Sequence, residues 1–128
     1  MVKSQPKPSG RKSSAAYTRL HNQLQSQILV ALSRLDLGLF WSNATGAGTS
    51  PDGQWIRYGL VGSSDILGIV NGGYFIAIEV KTGAAVQSPQ QIKFEAAVKK
   101  RGGYYFVARS VLDALMYVQT VAALRDVK

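Results

Sequence analysis

The chain has 128 residues, enough for one compact domain with a single hydrophobic core. Apolar residues make up 46% of it, which excludes a wholly disordered chain, and no apolar run approaches the ~20 residues that a membrane helix needs. Cysteine is absent, which excludes disulfides, zinc–thiolate sites and thiol nucleophiles and agrees with a reducing cytoplasm.

The charge is strongly basic, with fifteen Lys and Arg against seven Asp and Glu and a formal net charge of +8. This surplus predicts a polyanionic partner, above all nucleic acid, because each neutralised phosphate releases counterions. An anionic membrane surface is the competing interpretation, but no basic amphipathic helix of the lipid-binding kind is evident. The polar, basic first residues also predict no secretory signal.

The first predicted segments are a basic arm and a helix. Residues 1–14 mix four basic side chains with proline, glycine and serine, which predicts a flexible arm that contacts phosphate or merely aids solubility. Residues 15–128 are predicted to form a single domain. Apolar residues recur at spacings of four and three from Tyr17 to Leu37, which predicts an amphipathic helix ended by Gly38.

Several short strands are predicted next. Residues 39–41 form a strand, residues 43–53 are rich in Gly and Thr and are predicted to be an irregular loop, and residues 54–58 form another short strand. Residues 65–70 and 74–81 are β-rich and are separated by Asn71-Gly72-Gly73, a strong hairpin signal.

The second half alternates helix and strand. Ser88 and Gln91 fit a capping box with Pro89 at the first helical position, and this helix ends at Gly102-Gly103. A strand over 104–108 and a helix over 110–124 follow. The predicted class is α/β, in the order αβββαβα, with no internal repeat.

The register of the central hairpin decides whether two acidic residues meet. A two-residue turn would direct Asp65 away from Glu79, whereas a three-residue turn closed by Gly73 would place them opposite each other. Directly opposed Cβ atoms lie roughly 4.5–5.5 Å apart, so such carboxylates repel unless a cation lies between them. We predict the three-residue turn.

Glu79 lies in a strand that is apolar on both faces, the pattern of an interior strand. A buried carboxylate needs compensation. One interpretation is a purely structural pair between Glu79 and Lys81. The other makes Asp65 and Glu79 ligands of Mg²⁺, completed by the Val80 carbonyl and waters, with Lys81 acting on the attacking water or on charge that grows at the phosphate.

These residues resemble the PD-(D/E)xK nuclease superfamily and, within it, the virus-type replication-repair nuclease (VRR-NUC) domain. The resemblance rests on residues 62–69 (GSSDILGI) and 73–82 (GYFIAIEVKT), and covers roughly residues 20–115. It continues through three later groups of residues and one earlier group. They are Ser88 with Gln91 and Phe94, Gly102-Gly103, residues 107–110 (VARS), and residues 41–43 (WSN) with Gly46.

The resemblance implies a mixed β-sheet flanked by helices with a restriction-endonuclease-like core. It also implies phosphodiester hydrolysis dependent on Mg²⁺, or on Mn²⁺ as a substitute, with Asp65, Glu79 and Lys81 as the catalytic set. Gln91 would lie near them from the following helix, and its capping role is compatible with that position. Similar stand-alone viral proteins are Holliday-junction resolvases that act as homodimers, which would place this chain in a host-cell cytoplasm.

Two positions depart from the family pattern. Ser64 stands where the superfamily has proline. His21 stands where relatives offer a glutamate from the first helix. His21 could assist a second cation or position a water, or it could be an ordinary residue of the helix surface.

The DNA contacts are predicted from basic residues, and Trp41 and Trp55 are expected to lie in the core or at a dimer interface rather than to stack on bases. Cations at a helix C-terminus also favour the helix dipole, so some of these residues have a structural explanation. The predicted phosphate contacts are Arg57, Lys93, Lys99, Lys100 and Arg101.

The function predicted from the sequence is a Mg²⁺-dependent, structure-selective DNA endonuclease, specifically a four-way-junction resolvase. The alternatives are a restriction-type or nicking nuclease, and a non-catalytic nucleic-acid-binding module in which Glu79 and Lys81 are structural.

Overall fold

The computed structural model describes residues 10–124 of the chain. These residues form three helices and six strands. In chain order the elements are α1 (Gly10–Leu35), β1 (Gly38–Ser42), β2 (Gly46–Thr49), β3 (Trp55–Tyr58), β4 (Ile66–Val70), β5 (Tyr74–Val80), α2 (Pro89–Lys100), β6 (Tyr104–Ala108) and α3 (Val111–Ala123). The class is α/β, as predicted.

The main sheet has four strands in the order β1-β4-β5-β6. The first three pair antiparallel, whereas β5 and β6 pair parallel, so the sheet is mixed. Helix α2 provides the crossover that a parallel pair requires. The full order is αβββββαβα, which has two strands more than the predicted order αβββαβα. Strands β2 and β3 form a separate two-stranded sheet, and of these two only β3 corresponds to a predicted strand, the one over residues 54–58.

The sheet lies between two helical layers. Side chains alternate along β5, so Ile76, Ile78 and Val80 face α1 and α3, while Ala77 and Glu79 face α2. The larger core joins these isoleucines to Ile28 of α1 and to residues of α3. The smaller core packs Ala77 against Val98 of α2 and Tyr105 of β6. The α2 side therefore has fewer buried apolar residues, and it is the side on which Glu79 lies.

Helix α1 begins earlier than the sequence predicted. The predicted start was Tyr17, but the helix runs from Gly10 to Leu35, so the flexible-arm prediction is wrong for residues 10–14. Arg, Lys and Ala have high helix propensity, and extending an existing helix needs no new nucleation. The rest of the predicted arm, residues 1–9, lies outside the described residues. Within residues 10–124 no helix is long and apolar enough to cross a membrane.

The prediction of an irregular loop over residues 43–53 is wrong for residues 46–49. Gly46–Thr49 is strand β2, which pairs antiparallel with β3, with Thr49 opposite Trp55. Pro51-Asp52-Gly53 forms the turn between them, with Gly53 at a positive φ of 88°. Pro51-Asp52-Gly53 is the sequence pattern from which the β2–β3 hairpin could have been predicted.

Candidate active site

The hairpin β4–β5 has the three-residue turn that was predicted. Val70 pairs with Tyr74, the Gly73 N–H donates to the Val70 carbonyl at 3.0 Å, and Gly73 has a φ of 87°. The register continues to Ile66 opposite Ile78, the last pair of the ladder. Asp65 directly precedes that pair and Glu79 directly follows it. The two acidic residues therefore come together at one end of the sheet.

Asp65 is fixed by contacts from two elements. Its Oδ2 accepts a hydrogen bond from the Val80 N–H at 2.8 Å and lies 3.2 Å from His21 Nε2 of α1. The Gln25 side chain, one turn further along α1, donates to the Asp65 carbonyl at 3.5 Å. Helix α1 thus places His21 beside the carboxylate of Asp65, the residue directly before β4.

Glu79 is almost completely buried, with 2% of its surface exposed. Its Oε2 accepts from Gln91 Nε2 at 2.8 Å, and the ammonium of buried Lys81 lies 3.9 Å from the same oxygen. Its other oxygen, Oε1, is buried and has no hydrogen-bond partner among the described residues. Leaving a buried acceptor unsatisfied costs on the order of 1–3 kcal/mol or more for a charged group. Glu79 Oε1 is therefore a buried oxygen that still lacks a donor or a cation among the described residues.

Burial and, to a smaller extent, the nearby Asp65 carboxylate raise the pKa of the Glu79 carboxyl to about 8. The Lys81 ammonium acts in the opposite direction. Lys81 alone therefore does not compensate the burial of Glu79. A cation placed between the two carboxylates would stabilise the ionised form of Glu79.

Gln91 has both roles that the sequence suggested for it. Ser88 Oγ accepts from the Gln91 N–H at 3.2 Å, and Gln91 Oε1 accepts from the Ser88 N–H at 2.8 Å, which completes the capping box. The Gln91 amide nitrogen remains free to donate to Glu79. Since an amide offers both an acceptor and donors, the α2 start is coupled directly to the carboxylate.

Asn43 and Ser64 form a part of the site to which the sequence analysis assigned no role. The Asn43 amide nitrogen donates to Ser63 Oγ at 2.7 Å and to the Ser64 carbonyl at 2.9 Å, and the Asn43 N–H donates to the Asp65 carbonyl at 2.7 Å. Ser64 is fully buried, and its hydroxyl has no partner among the described residues. Only the family resemblance drew attention to both positions, because no periodicity marks them.

A polar group behind Glu79 was also missed. The Gln87 side chain donates to Tyr105 Oη at 3.0 Å and to Glu95 Oε1 at 2.9 Å. Burial raises the pKa of the Tyr105 phenol to about 12, so this residue stays neutral. These contacts join β6, α2 and the segment after β5 on the Glu79 side of the sheet.

The predicted phosphate contacts lie on β3, along α2 and at its C-terminal end. Arg57 is exposed on β3, and Lys93 is exposed on α2. Lys99, Lys100 and Arg101 are at the far end of α2, about 14 Å along its axis from Gln91 at 1.5 Å per residue. The Lys99 ammonium pairs with Glu95 at 2.6 Å. These three cations suit the helix dipole, and the geometry does not connect them to the site.

The two tryptophans do not lie in the core. Trp41 is 42% exposed on β1 and Trp55 is 67% exposed on β3, so the core alternative is wrong for both, and the dimer-interface alternative stays a prediction. Trp41 is on the edge strand β1 of the main sheet, while Trp55 belongs to the small second sheet.

The donor set suits a hard divalent cation but is small. In residues 10–124, no group of three or more His, Asp or Glu side chains converges on one point. Asp65 and Glu79 supply carboxylate oxygens, and the unpartnered Glu79 Oε1 is available for a further interaction. Mg²⁺ is commonly bound by one or two carboxylates and keeps several waters, so two acids are sufficient for it.

A comparison with protein-family models finds no match, and a comparison with curated proteins finds none either.

Proposed function

We propose that this chain is a Mg²⁺-dependent endonuclease that hydrolyses phosphodiester bonds in branched DNA, such as a four-way junction. The observation that carries the proposal is the meeting of Asp65 and Glu79 across the β4–β5 register, beside the buried ammonium of Lys81. Two acids and a lysine in this order are the motif of the PD-(D/E)xK superfamily that the sequence resembles.

Asp65 and Glu79 would hold the cation, with the Val80 carbonyl as the third protein ligand. When bound, Mg²⁺ would supply Lewis-acid polarisation of the phosphate. Mn²⁺ is expected to substitute for it.

Lys81 acts as a positioned cation. Its ammonium is buried and lies 3.9 Å from Glu79 Oε2, so it can donate to the attacking water or to oxygens that gain charge in the transition state. Fixed donors in a partly water-excluded site are effective because they need no reorganisation.

Gln91 and His21 are positioning residues. Gln91 fixes one Glu79 oxygen from α2, which leaves the other oxygen available. His21 orients the Asp65 carboxylate from α1. Hydrogen bonds of this kind typically affect metal affinity or activity by about 10–100-fold.

The branched substrate and the homodimer belong to the proposal. The net charge of +8 supports a polyanionic partner. Two copies related by a two-fold axis would present two active sites, which suits symmetric cuts in a four-way junction.

The test is cleavage of labelled four-way junctions and of linear duplex, in Mg²⁺ and in EDTA. We expect Mg²⁺-dependent cutting of the junction, and a loss of at least about 100-fold with Asp65→Asn and with Lys81→Met. The matched control is Asp36→Asn, an exposed aspartate at the opposite end of the main sheet with a positive φ of 56° that asparagine tolerates.

Three other outcomes would change the assignment. Equal cutting by Asp65→Asn and by the wild type would refute the site. Junction binding without cutting in any divalent cation would support the non-catalytic binding module. Preference for linear duplex would retain the nuclease and replace the resolvase with a restriction-type or nicking enzyme.

A further inference from the structure

The β2–β3 hairpin exposes side chains that proteins normally cover. All four residues of β3, Trp-Ile-Arg-Tyr, are exposed, and β2 has only Gly46, Ala47, Gly48 and Thr49 opposite them. An isolated two-stranded ribbon is marginally stable in water, and exposed aromatic surface often marks a binding site. Stability alone does not explain a tryptophan at this position.

The two faces of the hairpin differ. The Tyr58 side chain covers its cross-strand partner Gly46, because a Cβ on Gly46 would lie 2.6 Å from the Tyr58 hydroxyl. Trp55 and Arg57 alternate onto the opposite face, where their cross-strand partners are Thr49 and Ala47. Small neighbours leave the indole open, and 67% of Trp55 is exposed. One face therefore presents an uncovered indole beside a guanidinium.

Both legs of the hairpin are attached to the candidate active site. The leg before β2 is fixed by Asn43, whose N–H donates to the Asp65 carbonyl at 2.7 Å. The leg after β3 contains Gly62, where a Cβ would lie 2.5 Å from the Gln90 carbonyl at the start of α2. The two legs also touch, since a Cβ on Gly59 would lie 2.6 Å from the Ala44 carbonyl. The hairpin is thus anchored through both legs, one at Asp65 and the other at the start of α2.

We propose that the Trp55–Arg57 face of the β2–β3 hairpin binds a single unpaired nucleotide of branched DNA, with the indole stacked on the base and the guanidinium on a phosphate. The choice of DNA rests on the proposed function. Arg57 is the only charged residue of the two strands, which favours an anionic ligand over the apolar surface of a second copy. Stacking on an aromatic ring needs an exposed base face, so unpaired nucleotides are favoured over duplex.

This contact would select where the chain cuts. The legs that flank the hairpin touch Asp65 and α2, so an unpaired base bound on Trp55 would direct the adjoining DNA strand toward the two carboxylates. Arg57 would add affinity without reading the base. The hairpin would then favour cleavage next to a junction or flap.

The first test is a fluorescence titration in EDTA, where no cutting occurs. The chain has two tryptophans, so Trp41→Phe leaves Trp55 as the only indole. Titration with a junction that carries unpaired nucleotides is expected to quench Trp55 emission, and a fully paired duplex of equal length is expected to quench it much less. Equal quenching by both, or none by either, would overturn the proposal.

The second test is DNA affinity measured by anisotropy. Trp55→Ala should weaken binding of the unpaired junction by about 10–100-fold, with Trp55→Phe in between. Arg57→Ala should reduce the salt slope of binding by about one phosphate contact. The matched control is Trp41→Ala, an exposed tryptophan on β1 that should leave affinity unchanged.

The outcomes separate this inference from the proposed function. If the protein cuts junctions and Trp55→Ala binds and cuts as the wild type does, the hairpin proposal fails alone. If the protein never cuts but Trp55 still reports unpaired nucleotides, the nuclease proposal fails alone. If Trp55→Ala dissociates a dimer and the resulting monomer keeps its affinity for the unpaired junction, the face is an interface between copies and the proposal is wrong. Absence of any DNA binding would overturn both.

Discussion

The carboxylate end of β5 and the β2–β3 hairpin are both short β structures rich in branched or aromatic residues. They differ in burial, because these side chains are buried in β5 and exposed in the hairpin. On β5 the residues from Ile76 to Val80 are buried on both faces, and the polar atoms of Asp65 and Glu79 are held by α1, β5 and α2. On the hairpin, the residues of β3 are exposed, and only the base of the ribbon is fixed.

The difference suggests that one region serves catalysis and the other serves DNA binding. Chemistry at a fixed group needs preorganised side chains, whose positions are determined by packing and by second hydrogen bonds. Binding of a deformable nucleic acid needs exposed surface on a connection that a rigid scaffold positions. Substitutions at the first region should change stability and catalysis, and substitutions at the second should change DNA binding.

The largest expected effect comes from the buried carboxyl. The pKa of Glu79 is raised from 4.5 to about 8, so folding favours its protonated form. In EDTA the contribution of Glu79 to the free energy of unfolding should be largest below pH 4.5 and be lost as the pH rises through 8, by on the order of 5 kcal/mol at about 1.4 kcal/mol per pKa unit. Glu79→Gln should remove this decline, so the variant should be more stable than the wild type at pH 9 in urea denaturation.

The matched control is Glu95→Gln, the other glutamate of the chain. The side chains of Lys99 and Gln87 lower the pKa of Glu95, so its contribution to stability is present above pH 4.5 and is lost as the pH falls through its lowered pKa. The Glu95→Gln protein should keep the decline between pH 5 and pH 9. Added Mg²⁺ should reduce the decline in the wild type and in Glu95→Gln, both of which keep Asp65 and Glu79. An identical pH profile for the wild type and Glu79→Gln would contradict the buried-carboxyl argument.

A smaller effect is expected at the base of the hairpin. Gly62 has a φ of 86°, and a Cβ there would lie 2.5 Å from the Gln90 carbonyl. Gly62→Ala should therefore lower the free energy of unfolding by about 2–3 kcal/mol, through backbone strain and a main-chain clash, and should weaken junction binding. Urea denaturation and anisotropy measure the two effects.

Gly53 at the hairpin tip provides the comparison. It has a similar φ of 88°, but a Cβ there would meet nothing within 4 Å. Gly53→Ala should cost about 1 kcal/mol from strain alone, with cleavage unchanged. If Gly62→Ala and Gly53→Ala had equal effects on stability and on junction binding, the contact between the hairpin and α2 would not contribute to function.

The smallest effect is expected from two helix caps. Ser88 caps α2 and Ser110 caps α3, each accepting a main-chain N–H at its third helical position. Replacing either with alanine should cost about 1 kcal/mol in urea denaturation. Only Ser88→Ala loosens Gln91 and hence Glu79, so only this variant should slow cleavage, on the order of 10-fold. Equal cleavage by both variants would show that Gln91 acts as a cap and nothing more.

Local patterns in the sequence predicted much of the framework. The three-residue turn follows from Asn71-Gly72-Gly73, because glycine is needed where φ is positive, and the register of Asp65 and Glu79 follows from the turn. The capping box at Ser88 and Gln91 was equally local. Such features are predictable because each depends on residues only a few positions apart.

The sequence missed what distant segments bring together. Nothing near His21 indicates that its ring lies 3.2 Å from Asp65, forty-four residues away, and nothing near Gln87 indicates that it bridges Tyr105 and Glu95. The start of α1 and strand β2 were also misjudged, because helix extension and strand pairing overrode a composition typical of loops.

By itself, the sequence determined the α/β class, the tight turn, the helix caps and the pairing of two acids with a lysine, since hydrophobic period and turn chemistry act over short distances. Only the tertiary structure decided that Glu79 is buried with one unpartnered oxygen, that α1 supplies a histidine and α2 a glutamine to the two acids, and that Trp55 stays exposed. The physical reason is that burial and side-chain partners depend on how layers pack, and packing joins residues that no local pattern connects.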